Sequence, residues 1–148
     1  MVSPAGFEEW EMKTAVVFFS LTGNTWKVAD MLKVGDTDLV RLKRRSSLLS
    51  MLGLGLKPKF DPHKYDLIVI GCPVWGGSPA KPFMAALRRM DFAGRQVNIY
   101  LTYGQNQDKA LKMVADEVKR RNGQPGRTMA FEMSKPLSET EVRKLLSF

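Results

Sequence analysis

The sequence predicts an α/β domain built on a mainly parallel sheet. Three observations carry that reading. Apolar, β-branched runs alternate with segments of helical period, the pattern that sets a helix after each strand. The runs TAVVFFS at 14–20 and DLIVIGCP at 66–73 are continuous rather than alternating, as strands covered on both faces are. A length of 148 residues, 44% hydrophobic and 26% charged, suits one domain with a sizeable core.

Residues 1–11 show no periodicity and are expected to be an N-terminal extension without a site, leaving 12–148 as the domain. Residues 14–20 form the first strand and lead through 21–25 (LTGNT) into a helix to about Val34, with Val28, Ala29 and Leu32 on one face and Gly35 as its C-terminal cap. Residues 37–43 (TDLVRLK) alternate, with Leu39, Arg41 and Lys43 on one side and Val40 and Leu42 on the other, a polarity suited to an edge strand. Residues 66–73 are the central strand, followed by a turn at 74–78. A helix then runs from Ser78 or Lys81 to Met90, with Pro82 tolerated in its first turn. Residues 96–103 (QVNIYLTY) make the next strand, and Ala110, Leu111, Val114, Ala115 and Val118 mark the inner face of a helix over 107–122, ended by Gly123. A fifth strand spans 127–133. Ser138 and Glu141 have capping-box spacing for a short last helix.

A lone cysteine, Cys72, excludes an internal disulfide and any multi-cysteine metal cluster, and its place in an apolar run reads as core. The lone histidine, His63, weakens histidine-based metal sites and triads; beside Lys64 it reads as a solvated loop residue, with titration near a cofactor as the alternative. No metal site and no catalytic side chain is expected. No apolar stretch reaches the roughly 20 residues needed to cross a bilayer, and Glu8, Glu9 and Glu11 stand where a signal peptide needs apolar residues, so a cytoplasmic protein is expected. The formal charge is +8, of which +6 lies between Arg41 and Lys64, where seven Lys and Arg face only Asp61. Such a patch implies an anionic contact.

Ser20, Leu21, Thr22, Gly23, Asn24 and Thr25 lie between a buried strand and a helix, where backbone N–H groups and hydroxyls converge on a helix N-terminus. That is a place for a phosphate. The absence of a lysine argues against a nucleoside-triphosphate loop of the GxxxxGK(S/T) kind. The plainer alternative is a strand-to-helix turn with capping hydroxyls. Trp26, next along, reads as helix packing, and Trp75 beside Gly76 and Gly77 offers an indole plane where backbone leaves room for a flat ligand.

The run Ser20 to Thr25 resembles the phosphate loop of the flavodoxins, Ser/Thr-x-Thr-Gly-Asn-Thr after the first strand. YDLIVIGCPVWGGS at 65–78 is similar to the third strand of that family and its flavin loop. VNIYLTYGQ at 97–105 is similar to the fourth strand and second flavin loop. The resemblance covers the chain from about Lys13 onward, with three motifs in family order. It implies a doubly wound five-stranded parallel sheet of order 2-1-3-4-5, helices on both faces, and FMN at the carboxyl ends of the strands. By the same resemblance, Ser20, Leu21, Thr22, Gly23, Asn24 and Thr25 would hold the FMN phosphate. Pro73, Val74, Trp75, Gly76 and Gly77 would flank the isoalloxazine, with Trp75 on one face and the glycine turn next to flavin N5. Thr102, Tyr103, Gly104 and Gln105 would approach the pyrimidine end and the other face. The implied function is electron transfer between redox partner proteins, cycling FMN through oxidised, semiquinone and hydroquinone states.

The sequence departs from the family in three places. Many flavodoxins are acidic, whereas this chain is basic, so partners with acidic docking faces are expected, and a less negative second reduction potential if the patch lies near the ring. Gln105, Asn106 and Gln107 stand where some members place a second stacking aromatic; a more open flavin face favours an FMN-dependent NAD(P)H:quinone-type reductase. The segment 46–56 (SSLLSMLGLGL), flanked by basic residues, suits either a helix covering the sheet or a contact with a membrane surface or partner. A flavin-free interaction module and nonspecific nucleic-acid binding are the remaining alternatives; no specific nucleic acid is expected.

Overall fold

The computed structural model describes residues 12–21, 23–42, 60–107 and 109–148. Both apolar runs are the strands at its centre: β1 (Thr14–Phe19) is buried throughout, and β3 (Leu67–Trp75) is buried from Leu67 to Cys72. β2 (Thr37–Leu42) and β6 (Gln124–Glu132) are the half-exposed edges, and β5 (Gln96–Tyr103) lies between β3 and β6. All four pairings among these strands are parallel, in the order β2-β1-β3-β5-β6. Numbered among themselves, the five long strands run 2-1-3-4-5, the expected topology.

One pairing was not expected. Residues 74–78 do not form a simple turn: β3 continues through Trp75, turns at Gly76 and Gly77, and returns as β4 (Ser78–Pro79), antiparallel to its own end. Two consecutive positive φ values, +61° at Gly76 and +80° at Gly77, are what a two-residue hairpin turn matched to strand twist requires.

The helices fall on both faces. α1 (Asn24–Met31) and α4 (Glu139–Arg143) contribute Val28, Ala29 and Val142 to a cluster with Val16, Phe18, Val69 and Tyr100. α2 (Lys81–Leu87) and α3 (Ala110–Arg120) contribute Phe83, Leu87, Val114 and Val118 to the other cluster, with Val17, Phe19, Ile70 and Leu101. Alternate residues of each strand therefore feed opposite cores.

The first three helices are shorter than the apolar period suggested. α1 stops at Met31 because the chain must turn into β2; Gly35, at φ +59°, makes that turn instead of capping the helix. Buried Met90 lies beyond the end of α2, and α3 begins only at Ala110, whose amide donates to the Gln107 carbonyl. Conversely, β6 begins earlier than expected, at Gln124, because an edge strand tolerates Pro125. The Ser138 hydroxyl caps α4 by accepting from the Glu141 amide, as its spacing predicted. Residues 1–11 and the apolar segment 46–56 lie outside the described residues.

Buried Asn98 fixes the C-terminus to the sheet. Its amide nitrogen donates to the Leu145 and Ser147 carbonyls, and its oxygen accepts from the Arg127 amide and the Gln96 side chain. Asn98→Ala leaves two carbonyls and an amide without partners, and is expected to cost about 2 kcal/mol, read as a lower urea midpoint with unchanged slope.

At the N-terminal edge of the sheet, Tyr65 donates to an Asp38 carboxylate oxygen at 2.8 Å. Burial first, and then this bond to Asp38, push the Tyr65 phenol up to about 12. An unfolded tyrosine ionises near pH 10, so the unfolded chain loses its proton first and stability falls as pH rises from about 10 to 12. The melting temperature of the wild type should drop more across that window than that of Tyr65→Phe.

Candidate functional site

β1, β3 and β5 end along one edge, on either side of the point where strand order reverses between β1 and β3. Their registers place Phe18 beside Gly71 and Pro73 beside Thr102, so the segments 20–25, 75–78 and 103–107 emerge together. Open α/β sheets bind ligands at this kind of crevice.

In the first segment, Ser20 is buried and its hydroxyl oxygen accepts from the Gly23 amide at 3.1 Å and the Trp26 amide at 3.3 Å. Both lone pairs are engaged, which leaves the hydroxyl proton to donate to an anion. Gly23 stands at φ +99° as the residue before α1, a conformation that strains any side chain. As the first two amides of α1, the Asn24 and Thr25 N–H groups have no intrahelical acceptor. Thr25 itself points inward: its hydroxyl is 2.9 Å from that of Thr102, and both residues are buried. That bond ties the helix start to β5, while the Thr25 amide stays at the open end of α1. Leu21 is exposed and can offer only backbone, and Thr22 lies outside the described residues.

Tyr100 fixes the same corner from below. Its fully buried hydroxyl donates to the Thr25 carbonyl at 3.1 Å. To reach it, the ring crosses Gly71, its register partner, where an added β-carbon would lie 2.0 Å from the ring. Burial holds the Tyr100 phenol protonated, well above its ordinary range, so it acts as a donor.

In the second segment, Trp75 is 40% exposed at the tip of β3, its ring meeting Phe19 edge-on at 5.9 Å. The indole is thus propped from the protein side and open on the other. Pro73 and Val74 are half-buried beneath it, the Pro73 carbonyl accepting from the Ala80 amide. In the third segment, Thr102 is buried, Tyr103 half-buried, and Gly104 and Gln105 exposed. The side-chain oxygen of Gln107 is buried there without a hydrogen-bond partner.

Sequence reasoning missed Arg41 as a member of this edge. The sequence places it in an alternating edge strand and a basic run but gives it no contact with the loop, yet its register beside Phe18 carries its guanidinium to the Ser20 carbonyl, 3.1 Å away. The alternation of β2 was the available signal. The other described end of that run, Lys64, precedes β3 at the opposite edge of the sheet. His63 is there too, exposed, its Nδ1 3.2 Å from Asp61 and away from this site. Cys72 is fully buried, and burial pushes its thiol up, as expected of a core residue. Among the described residues, no helix is long and apolar enough to cross a membrane.

No family model and no curated protein matches the sequence. Solved structures do match. A flavoprotein in complex with FMN from Lactobacillus acidophilus NCFM aligns with a TM-score of 0.68 at 22% identity, over 92% of this chain and 99% of that one. A WrbA-like flavodoxin from Agrobacterium tumefaciens aligns with a TM-score of 0.61 at 16% identity, over 91% of this chain and 90% of that one. The two-electron reduced flavodoxin of Megasphaera elsdenii aligns with a TM-score of 0.59 at 16% identity, over 90% of this chain and 98% of that one. At these identities the likeness is one of architecture: the chain has the flavodoxin-like fold.

Proposed function

We propose that the protein binds FMN along the carboxyl ends of β1, β3 and β5 and works as an electron-transfer protein. The observation that carries this reading is Gly104. Its φ is not positive, and a β-carbon there would meet nothing within 4 Å, so neither backbone conformation nor packing requires glycine. A flat ligand lying against that backbone would account for it. Gly23 and Gly76 likewise face open space, Trp75 beside Gly76 presents a partly exposed indole, and the Gln107 oxygen lacks a donor. The residues present fit a phosphorylated, planar, hydrogen-bonding group, and the FMN complex of the Lactobacillus flavoprotein shows such a group on this architecture.

In this reading the Ser20 hydroxyl and the amides of Asn24 and Thr25 bind the phosphate. Thr25, Thr102 and Tyr100 hold that corner in place, Trp75 stacks on the ring and excludes water from one face, and Gly76 and Gly77 bring backbone polar groups to its edge. Bound FMN supplies one- and two-electron redox chemistry, and the protein supplies binding, orientation and electrostatics. Its partners are expected to present acidic docking faces to the basic surface.

A second reading, an FMN-dependent NAD(P)H:quinone-type reductase, is favoured by one observation: past the half-buried Tyr103, the third segment exposes Gly104, Gln105 and Asn106 rather than an aromatic side chain. Anaerobic titration separates the two. The electron-transfer reading expects the bound flavin to take up electrons one at a time from a mediator and to stay oxidised with NADH or NADPH alone. Bleaching by either nucleotide without a partner would overturn it in favour of the reductase.

A further inference from the structure

Arg41, Trp26 and Ser20 form a unit beside the phosphate loop. The Arg41 guanidinium donates to the Ser20 carbonyl at 3.1 Å and lies 5.4 Å from the centre of the Trp26 ring. Trp26 is itself held from two sides: its ring packs on Phe18 at 5.2 Å, and its amide donates to the Ser20 hydroxyl. An indole 39% exposed on the first turn of a helix is otherwise wasteful, but here it is the plate on which a cation rests. The guanidinium is fixed by one hydrogen bond and one ring face, with further N–H groups to offer. No carboxylate pairs with it among the described residues.

We propose that Arg41 is the residue that selects the phosphorylated flavin, by placing a preorganised positive charge beside the loop that receives the phosphate. The inference rests on the FMN reading of the site. Ser20 and the α1 amides donate hydrogen bonds that riboflavin, lacking a phosphate, has no oxygen to accept; a guanidinium anchored to the loop adds a full positive charge to those dipoles, a further term that only the phosphorylated flavin feels. Anchoring matters because a mobile surface arginine would lose most of its contribution to side-chain entropy and screening. The arrangement also accounts for a basic residue on an edge strand whose other described members are less exposed or acidic.

The test is a flavin-fluorescence titration of the purified apo-protein with FMN and with riboflavin, at low and at about 0.3 M salt. Arg41→Gln is expected to weaken FMN binding by about tenfold and flatten its salt dependence, with riboflavin binding unchanged. Arg41→Lys, which keeps the charge but not the fork, should recover part of the loss. Inorganic phosphate should raise the melting temperature of wild-type apo-protein, and that of Arg41→Gln by less. If Arg41→Gln binds FMN as the wild type does, or loses FMN and riboflavin equally, the selecting role is overturned while the site stands. If the wild type binds neither flavin, the reading of the site falls and this inference with it.

Discussion

Gly71→Ala is expected to destabilise the protein by about 4 kcal/mol, beyond the usual cost of one extra methylene in a core. The added carbon would lie 2.0 to 2.5 Å from three atoms of the Tyr100 ring. That ring cannot swing aside: it is fully buried between β5 and α1, and its hydroxyl is tied to the Thr25 carbonyl. Displacing it moves the start of α1, so FMN affinity should fall together with the urea midpoint. Tyr100→Phe alone removes the hydroxyl but not the ring and should cost about 1 kcal/mol. The pair Gly71→Ala with Tyr100→Leu should be more stable than Gly71→Ala alone, because the clash has a single partner. If the double variant is instead as unstable as the two single changes added together, the steric account of Gly71 is wrong.

Trp75→Ala is expected to weaken FMN binding by roughly thirtyfold, the equivalent of about 2 kcal/mol of ring stacking. Stability should hardly change, since the side chain is 40% exposed and its ring contact is with Phe19. Trp75→Phe should retain most of the affinity by keeping a plane at the same point. A Trp75→Ala protein that binds FMN as tightly as the wild type would place the ring elsewhere. The two substitutions therefore separate scaffold from contact: one lowers stability and affinity together, the other affinity alone.

The sheet was legible because parallel strands buried on both faces write themselves as unbroken apolar runs, and β1 and β3 do so. Helix positions were legible from the spacing of Val28, Ala29 and Leu32 and of Val114 and Val118. Their ends were not, because termini follow local turn geometry; Met90 is apolar and buried yet lies past the end of α2. β4 is only two residues long and carries no period to detect. The first site segment was legible in its own chemistry, a glycine and hydroxyls before a helix, whereas the second and third were assigned through the resemblance to the flavodoxins. What sequence did not show is direction and distance. The Thr25 and Thr102 hydroxyls meet although 77 residues apart in the chain, and Arg41 reaches Ser20 only through the β1–β2 register. Tyr100 over Gly71 is likewise a cross-strand fact.

The claim that the edge formed by β1, β3 and β5 is an FMN site is tested most directly by calorimetric titration of the apo-protein with FMN, with flavin fluorescence followed in parallel. The predicted result is one FMN per chain with its fluorescence quenched by Trp75, and a weaker complex in Trp75→Ala. Heat and fluorescence that stay flat as FMN is added to folded protein would contradict it.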